Sequence, residues 1–277
     1  MKYSNFKLSG SKRLLIGFVL ISLMTMSILP LIGVQTNETR ASAWGNNPYA
    51  VDSCDSLTST HDNIMESAIS MLYRSGYYSA YYLYNGFKTD LCKAQAETDV
   101  KGDVHSTYDG YHIWFDSSKK PLTAFNAEFG NAKAVSATSS QIRYLGRALH
   151  FVQDMTQPYH AGGVGVNLND EAHDPHFLYE AAATALSPST SLSPLLYSSM
   201  SNGHNDGERF FYQALNNGLQ LFELVDLDPA VTATELVTAQ VGINIATQLT
   251  AGLMIFFYDN YYNPPSGGGG GHVIIPM

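Results

Sequence analysis

The residues best suited to chemistry lie in the segment LHFVQDMTQPYHAGG and in the sequence PHFLYE just after it. His150 and Asp154 are four positions apart, as are His176 and Glu180, and His160 lies between the two pairs. Residues four apart on a helix project from one face. Imidazole nitrogens and carboxylate oxygens are ligands that Zn²⁺ accepts, and such a pair holds two of them toward one ion. The spacing therefore predicts a metal site.

Each of these elements also has a less specific interpretation. A lone helical histidine is more often a structural residue, and an i,i+4 His–Asp pair is commonly a surface contact. Two such pairs flank a third histidine within 31 residues of a chain that has nine histidines in all. The combination favours metal binding over a set of unrelated contacts.

Helices must position these side chains, because apolar residues recur at three- and four-residue steps and strand-like alternation is scarce. We predict an all-α domain with a single core. The segment 99–118 is rich in Gly, Asp and Ser and is predicted to be a long functional loop. The predicted helices cover 61–73, with Thr60 as the N-cap, 139–157, with Ser139 or Ser140 as the N-cap and Pro158 as the stop, a segment after Pro175, and 206–225 and 231–258.

The first 43 residues have the order of an export signal. Lys2, Lys7, Lys12 and Arg13 precede an apolar run over 14–34, and the motif Ala41-Ser42-Ala43 comes directly before Trp44. Basic, apolar and small-residue regions in this order predict cleavage after the A-x-A motif and secretion. The alternative is an uncleaved membrane anchor, since the apolar run is long enough to span a bilayer.

The segment that would be exported is strongly acidic. Residues 44–277 contain 10 basic and 23 acidic side chains, a formal net charge of −13. This charge disfavours a polynucleotide partner and steering by anionic lipid. Bound divalent cations would offset part of it.

Two features complete the organisation of the chain. Cys54 and Cys92 are the only cysteines, and in an oxidising compartment they predict one disulfide worth roughly 3–4 kcal/mol; two separate buried thiols are the alternative. Residues 263–277 contain Pro264-Pro265 and five consecutive glycines, which predicts a disordered tail. We therefore expect an export signal over 1–43, a catalytic domain over 44–262, and this tail.

The order His150-x3-Asp154-x5-His160…His176-x3-Glu180 resembles the ligand core of the bacterial zinc-dependent phospholipases C, the group that includes the alpha-toxin-like enzymes. The segment ATQLTAGLMIFFYDNYY is also similar to the closing helix of that family. Trp44, at the expected cleavage site, matches the tryptophan with which the mature enzymes of the family begin. The resemblance extends over most of residues 44–262 and implies an all-helical catalytic domain that holds three zinc ions.

Carried over by position, the resemblance implies nine metal ligands: the amino group and carbonyl of Trp44, with His61 and Asp154, for one ion; Asp99, His112, His150 and again Asp154 for a second; and His160, His176 and Glu180 for the third. Asp154 would then bridge two ions, since a carboxylate has two oxygens and a charge that screens cation–cation repulsion. Asp99 would also serve as the general base, although Asp103 and Asp109 compete for its position.

The implied reaction is phospholipase C-type hydrolysis of a glycerophospholipid at a membrane surface by a metal-activated water. Its products would be diacylglycerol and a phosphorylated head group, and we expect the enzyme to be a monomer. The choline-selective members have an aromatic residue after the matched aspartate, where this chain has Val100, so the head group is open. Tyr108, Tyr111 and Trp114 would form an aromatic wall for a choline head group or pack in the core.

Two other functions fit the same residues. One is a single-strand-specific zinc nuclease of the same fold, although those enzymes typically have Asp where this chain has Glu180. The other is a secreted zinc-binding module that has lost catalysis. His105, His173, His204 and His272 have no place in the ligand pattern, and we expect them at the surface.

Overall fold

The computed structural model describes Cys54 and residues 59–99, 112–165, 173–196, 207–228 and 230–263. Within these ranges every regular element is a helix and no strand occurs, which confirms the all-α prediction. A π-helical turn, Tyr258–Tyr262, follows the last helix. The helices are α1 Thr60–Arg74, α2 Tyr78–Gly86, α3 Lys88–Asp99, α4 Lys120–Ala134, α5 Thr138–Asp154, α6 Pro158–Ala161, α7 Pro175–Ala183, α8 Glu208–Phe222 and α9 Ala233–Phe257.

The N-cap assignments made from the sequence are wrong in detail. Ser59, not Thr60, caps α1, because its hydroxyl accepts a hydrogen bond from the backbone N–H of Asp62 at 3.2 Å. Helix α5 begins after Ala137 with no side-chain cap, so Ser139 and Ser140 lie inside its first turn. Polar residues near a helix start are common, and only the backbone conformation decides which one is the cap.

The chain breaks between α5 and α6, as Pro158 predicts, but the break is more elaborate than a simple stop. Helix α5 ends at Asp154, and Pro158 then occupies the first position of α6, where its missing N–H costs nothing. The side chain of Gln157 caps this short helix by accepting from the backbone N–H of His160 at 2.8 Å. Asp154 and His160 therefore belong to two differently placed helices.

Four helices were not predicted, namely α2, α3, α4 and the short α6, and Asp99 is the last residue of α3 rather than part of a loop. Helix α3 packs closely on α5 at Gly146, where an added Cβ would lie 2.8 Å from the Cβ of Ala94. Beside this contact, Glu97 is buried and accepts a hydrogen bond from Arg147 at 2.8 Å and others from Arg143. A helix that buries charged residues in this way has no clear apolar period.

The single predicted core is instead two apolar clusters. The larger one is built mainly from α1, α4, α5, α8 and α9 and includes Phe125, Phe151 and Phe211. The smaller one is formed by Ile64, Tyr159, Tyr179, Ala183, Ala239, Ile243 and Ala246. It underlies the short helix α6 and helix α7, so these two helices have an apolar support of their own.

Helix α9 and the cysteines complete the described fold. Within the described ranges, the stretch Ala233–Tyr262 is long and apolar enough to cross a membrane, yet 67% of its most apolar window is buried inside the protein, as is typical of a core helix. Cys54 and Cys92 form a disulfide with a Cα–Cα distance of 5.3 Å. The expected export signal and the Gly-rich tail lie outside the described residues.

Candidate metal centre

The buried carboxylate of Asp154 is the centre of the first ligand cluster. The side chain is 1% exposed and its two oxygens face different histidines. Oδ1 lies 3.2 Å from Nε2 of His61, and Oδ2 lies 2.7 Å from Nδ1 of His112 and 3.2 Å from Nε2 of His150. One carboxylate therefore presents a separate oxygen to each of two histidine groups.

His61 reaches Asp154 from the first turn of α1. Its Nδ1 lies 2.7 Å from Oε1 of Gln153, which leaves Nε2 directed at Asp154. Gln153 is fully buried, and its Nε2 donates to the hydroxyl of Thr250 on α9 at 3.2 Å. The orientation of His61 is thus fixed from α5 and α9 together.

His112 comes from a non-helical segment that is held against α6. The backbone N–H of Trp114 donates to the carbonyl of His160 at 2.8 Å. Gly163, with φ +79°, lets this segment come close, since a Cβ there would lie 3.0 Å from the Trp114 carbonyl oxygen. Trp114 itself is 7% exposed and packs near Phe211 in the larger core. Trp114 therefore packs in the core, which was one of the two roles predicted for it.

The second ligand cluster joins α6 to α7. Oε1 of Glu180 lies 3.0 Å from Nε2 of His176, one turn earlier on α7, and 3.2 Å from Nε2 of His160 on α6. The ring of His176 stacks on Tyr159, with centroids 5.2 Å apart and an interplanar angle of 7°. Tyr159 is in turn fixed by a 2.7 Å hydrogen bond from its hydroxyl to the carbonyl of Asp226.

Both clusters fit a tetrahedral metal ion with nitrogen and oxygen ligands. The candidate ligand atoms lie within 4.8 Å of one another both in the His61–His150–Asp154 group and in the His160–His176–Glu180 group. Ligands about 2.0–2.1 Å from a tetrahedral zinc ion are about 3.3 Å from each other. The His–carboxylate distances of 3.0 and 3.2 Å in the second cluster are close to that value.

The charges of these groups are strongly coupled. Burial alone would raise the pKa of Asp154, but His150, His160 and the hydrogen bond from His112 hold it well below its usual range. Burial also opposes ionisation of Glu180, yet His176 and His160 lower its pKa to about 2. For His160, burial would lower the pKa, but Asp154 and then Glu180 raise it to about 10. A bound cation would take the place of protons held here.

His160 lies between the two clusters. Its Nε2 faces Glu180, while its Nδ1 lies 3.4 Å from Oδ1 of Asp154. A histidine that ligates a metal through one nitrogen commonly directs the other at a carboxylate, which fixes the ring. The two clusters are therefore parts of one centre rather than separate sites.

The structure brings together seven of the nine residues predicted as ligands. Trp44 and the side chain of Asp99 lie outside the described part of the structure, so their roles stay predictions; Tyr108 and Tyr111 also lie outside it. His173 is exposed, as expected. The seven residues that meet are His61, His112, His150, Asp154, His160, His176 and Glu180.

Sequence reasoning missed two glutamines that contact the predicted ligands. Gln153 forms a hydrogen bond with His61, and Gln157 forms hydrogen bonds with Glu180 and with the backbone N–H of His160. Their positions next to Asp154 and Pro158 were visible in the sequence. Which ligand each one would meet was not, because His61 and Glu180 are distant in the chain.

Comparison with known proteins relates this fold to solved structures. No family model matches the chain, and no curated protein matches it. The fold is similar to that of Clostridium perfringens alpha-toxin. One matching structure, of the toxin from avian strain SWCP, has a TM-score of 0.60 at 16% identity over 80% of this chain and 67% of the toxin chain. The TM-score establishes a similar fold, and at 16% identity the similarity extends to the fold alone.

Proposed function

We propose that the protein is a secreted, zinc-dependent phosphodiesterase of the phospholipase C type. It would hydrolyse glycerophospholipids to diacylglycerol and a phosphorylated head group, using three zinc ions. The observation that carries the proposal is the shared carboxylate of Asp154, whose two oxygens face different histidines next to a His₂–Glu cluster. The fold similarity to alpha-toxin and the ligand order in the sequence point to the same chemistry.

Closely spaced zinc ions lower the pKa of a bound water and neutralise a phosphodiester that is being attacked. Asp154 holds the histidine groups at a fixed separation from within the protein interior, where its charge is least screened. His160, His176 and Glu180 would hold the third ion. With these cations in place, the segment 44–277, of net charge −13, would accept an anionic phosphodiester.

The remaining roles follow from the sequence resemblance. Trp44 would contribute the amino group and carbonyl of the mature N-terminus to the first ion, and Asp99 would be both a ligand and the general base. Helix α3, which ends at Asp99, packs along α5, which carries His150 and Asp154. Asp99 would therefore be positioned by helix α3, which already packs against the helix that carries His150 and Asp154. We propose that the enzyme acts as a monomer at a membrane surface.

A direct test compares two activities of zinc-loaded mature protein, residues 44–277. We expect turnover of a p-nitrophenyl phosphocholine-type ester or of phospholipid vesicles, and no digestion of single-stranded DNA, because the net charge of −13 over residues 44–277 disfavours polynucleotide binding. His176→Gln should abolish turnover, while the exposed His173→Gln should retain it. DNA digestion without ester turnover would replace this proposal with a nuclease. Bound zinc with neither activity would leave a binding module.

A second test uses the export signal. If Trp44 is a ligand through its free amino group, protein that retains residues before Trp44 should bind one zinc ion fewer, because a peptide nitrogen is not a free amine. Metal content and the N-terminal mass are measured on the same sample. A full complement of zinc in the uncleaved protein would exclude Trp44 as an amino ligand.

A further inference from the structure

Gln157 is fully buried at the turn between α5 and α6, and both ends of its side-chain amide are used. Its Oε1 accepts from the backbone N–H of His160 at 2.8 Å. Its Nε2 lies 3.1 Å from Oε1 of Glu180. A backbone N–H can only donate, so the oxygen of the amide must face His160 and the NH₂ group must donate to Glu180.

We propose that Gln157 is a positioning residue for the cluster of His160, His176 and Glu180, an inference that rests on the metal-dependent function proposed above. One side chain fixes two of the three ligands: it caps the short helix that carries His160, and it holds the carboxylate of Glu180. The amide does this without adding charge. A neutral amide oxygen is not a usual ligand of Zn²⁺, so we assign Gln157 the support of the ligands and not a place among them.

The donated hydrogen bond decides which oxygen of Glu180 is fixed. Oε1 is the atom that faces both Nε2 of His176 and Nε2 of His160. A carboxylate oxygen accepts more than one partner, so the bond from Gln157 persists when a cation binds to the same atom. Without that bond the carboxylate of Glu180 is free to turn about its last side-chain torsion. Metal binding must then order the carboxylate, and this cost lowers the metal affinity of the cluster.

Two substitutions separate the two roles of Gln157. Gln157→Ser retains an N-cap, since a serine hydroxyl accepts from the N–H of the third helical residue, but it is too short to reach Glu180. Gln157→Met preserves the volume and removes both hydrogen bonds. As a matched control, Gln141→Met removes a buried glutamine amide from the first turn of helix α5, far along the chain from the ligands His150 and Asp154 at its other end.

The measurement is zinc loss from fully loaded protein across a graded series of chelator concentrations, with Tm in EDTA measured in parallel. Loss of a hydrogen-bonded partner behind a metal ligand typically weakens binding about 10–100-fold. We expect both Gln157 variants to lose affinity by this factor at one site and to keep the others, while Gln141→Met keeps all sites. The change in Tm in EDTA reports any purely structural role.

The possible outcomes separate the claims. Wild-type zinc affinities in Gln157→Ser would overturn the proposal, even if Gln157→Met were weakened, because the loss would then belong to the helix cap. Equal weakening at every site, or in Gln141→Met as well, would also overturn it, since a general loss of stability would explain both. A wild-type protein that binds no zinc would overturn the proposed function itself.

Discussion

Asp154→Asn is the most informative single change in this centre. Asparagine keeps the shape of aspartate but has one oxygen and one NH₂ group in place of two charged oxygens. In the native protein, Oδ1 faces His61 and Oδ2 faces His112 and His150. Whichever way the amide turns, one histidine group faces a nitrogen that cannot ligate a cation. The other group faces a neutral amide oxygen, which is not a usual ligand of Zn²⁺. We therefore expect the loss of two ions.

The size of the effect follows from the linkage between binding and folding. With free zinc held at 100 times the dissociation constant, each site adds about 2.7 kcal/mol to the free energy of unfolding. Losing two sites removes about 5 kcal/mol. In a domain of 150–250 residues, 1 kcal/mol corresponds to roughly 2–4 °C. The gain in Tm on zinc loading should thus shrink by roughly 10–20 °C, against roughly 5–11 °C for one site.

The assay compares Tm in zinc buffer with Tm in EDTA, beside zinc content by mass spectrometry, so that any direct effect on the metal-free fold cancels. Asp174→Asn is the control, because this buried aspartate caps α7 through its side chain and asparagine caps equally well. A normal zinc content in Asp154→Asn, or the loss of one ion with the smaller change in Tm, would refute a shared carboxylate.

Three further predictions concern stability. In metal-free protein the pKa of His160 is raised from 6.5 to about 10, so protonated His160 stabilises the fold fully below about pH 6.5, and this stabilisation is lost as the pH rises through 10. The pKa of Glu180 is lowered from 4.5 to about 2, so ionised Glu180 stabilises the fold above about pH 4.5, and this stabilisation is lost as the pH falls through 2. The Tm in EDTA should therefore be highest between those limits, and a Tm that keeps rising toward pH 10 would contradict this. Glu97→Gln should cost about 1.5–3 kcal/mol in urea unfolding, because it removes a charge-assisted hydrogen bond from the buried Arg147, whose remaining carboxylate partner, Glu128, lies 3.7 Å away. Glu66→Gln breaks a partly exposed pair with Lys88 and should cost under about 1 kcal/mol, so equal costs for the two variants would contradict the role given to burial. Replacing Cys54 and Cys92 by alanine should lower the free energy of unfolding by roughly 3–4 kcal/mol. A urea midpoint equal to that of the wild type under non-reducing conditions would contradict a stabilising role for the disulfide.

The ligand clusters were predictable because local geometry alone sets most of them. His150 with Asp154, and His176 with Glu180, are one helical turn apart, and this spacing fixes their relative directions before any tertiary contact forms. Proline at position 158 marks the helix break from sequence alone. What the pattern did not contain was the pairing of segments far apart in the chain, such as His61 with Gln153, 92 positions later.

Two of the helices that were missed, α2 and α3, show no clear apolar face in the sequence, each for its own physical reason. Helix α2 carries four tyrosines, of which Tyr78 and Tyr82 are exposed and Tyr84 is buried, so no single apolar face is visible. Helix α3 buries Gln95, Glu97 and Thr98, and the charge of Glu97 is tolerated only because arginines on α5 reach it. Periodicity methods treat such positions as solvent-facing, and the compensating partner becomes apparent only once the helices pack.

The break at Pro158 also explains why the two clusters form one centre. On an uninterrupted helix, six residues rotate the chain by about 600° and advance it by about 9 Å. His160 would then point roughly 120° away from Asp154 and lie more than a turn beyond it. The break instead places Nδ1 of His160 3.4 Å from Asp154, while Nε2 faces Glu180. Gln157, the residue that caps the new helix, also bonds Glu180. The same interruption of the helix therefore turns His160 toward both clusters and supplies the group that holds the second one.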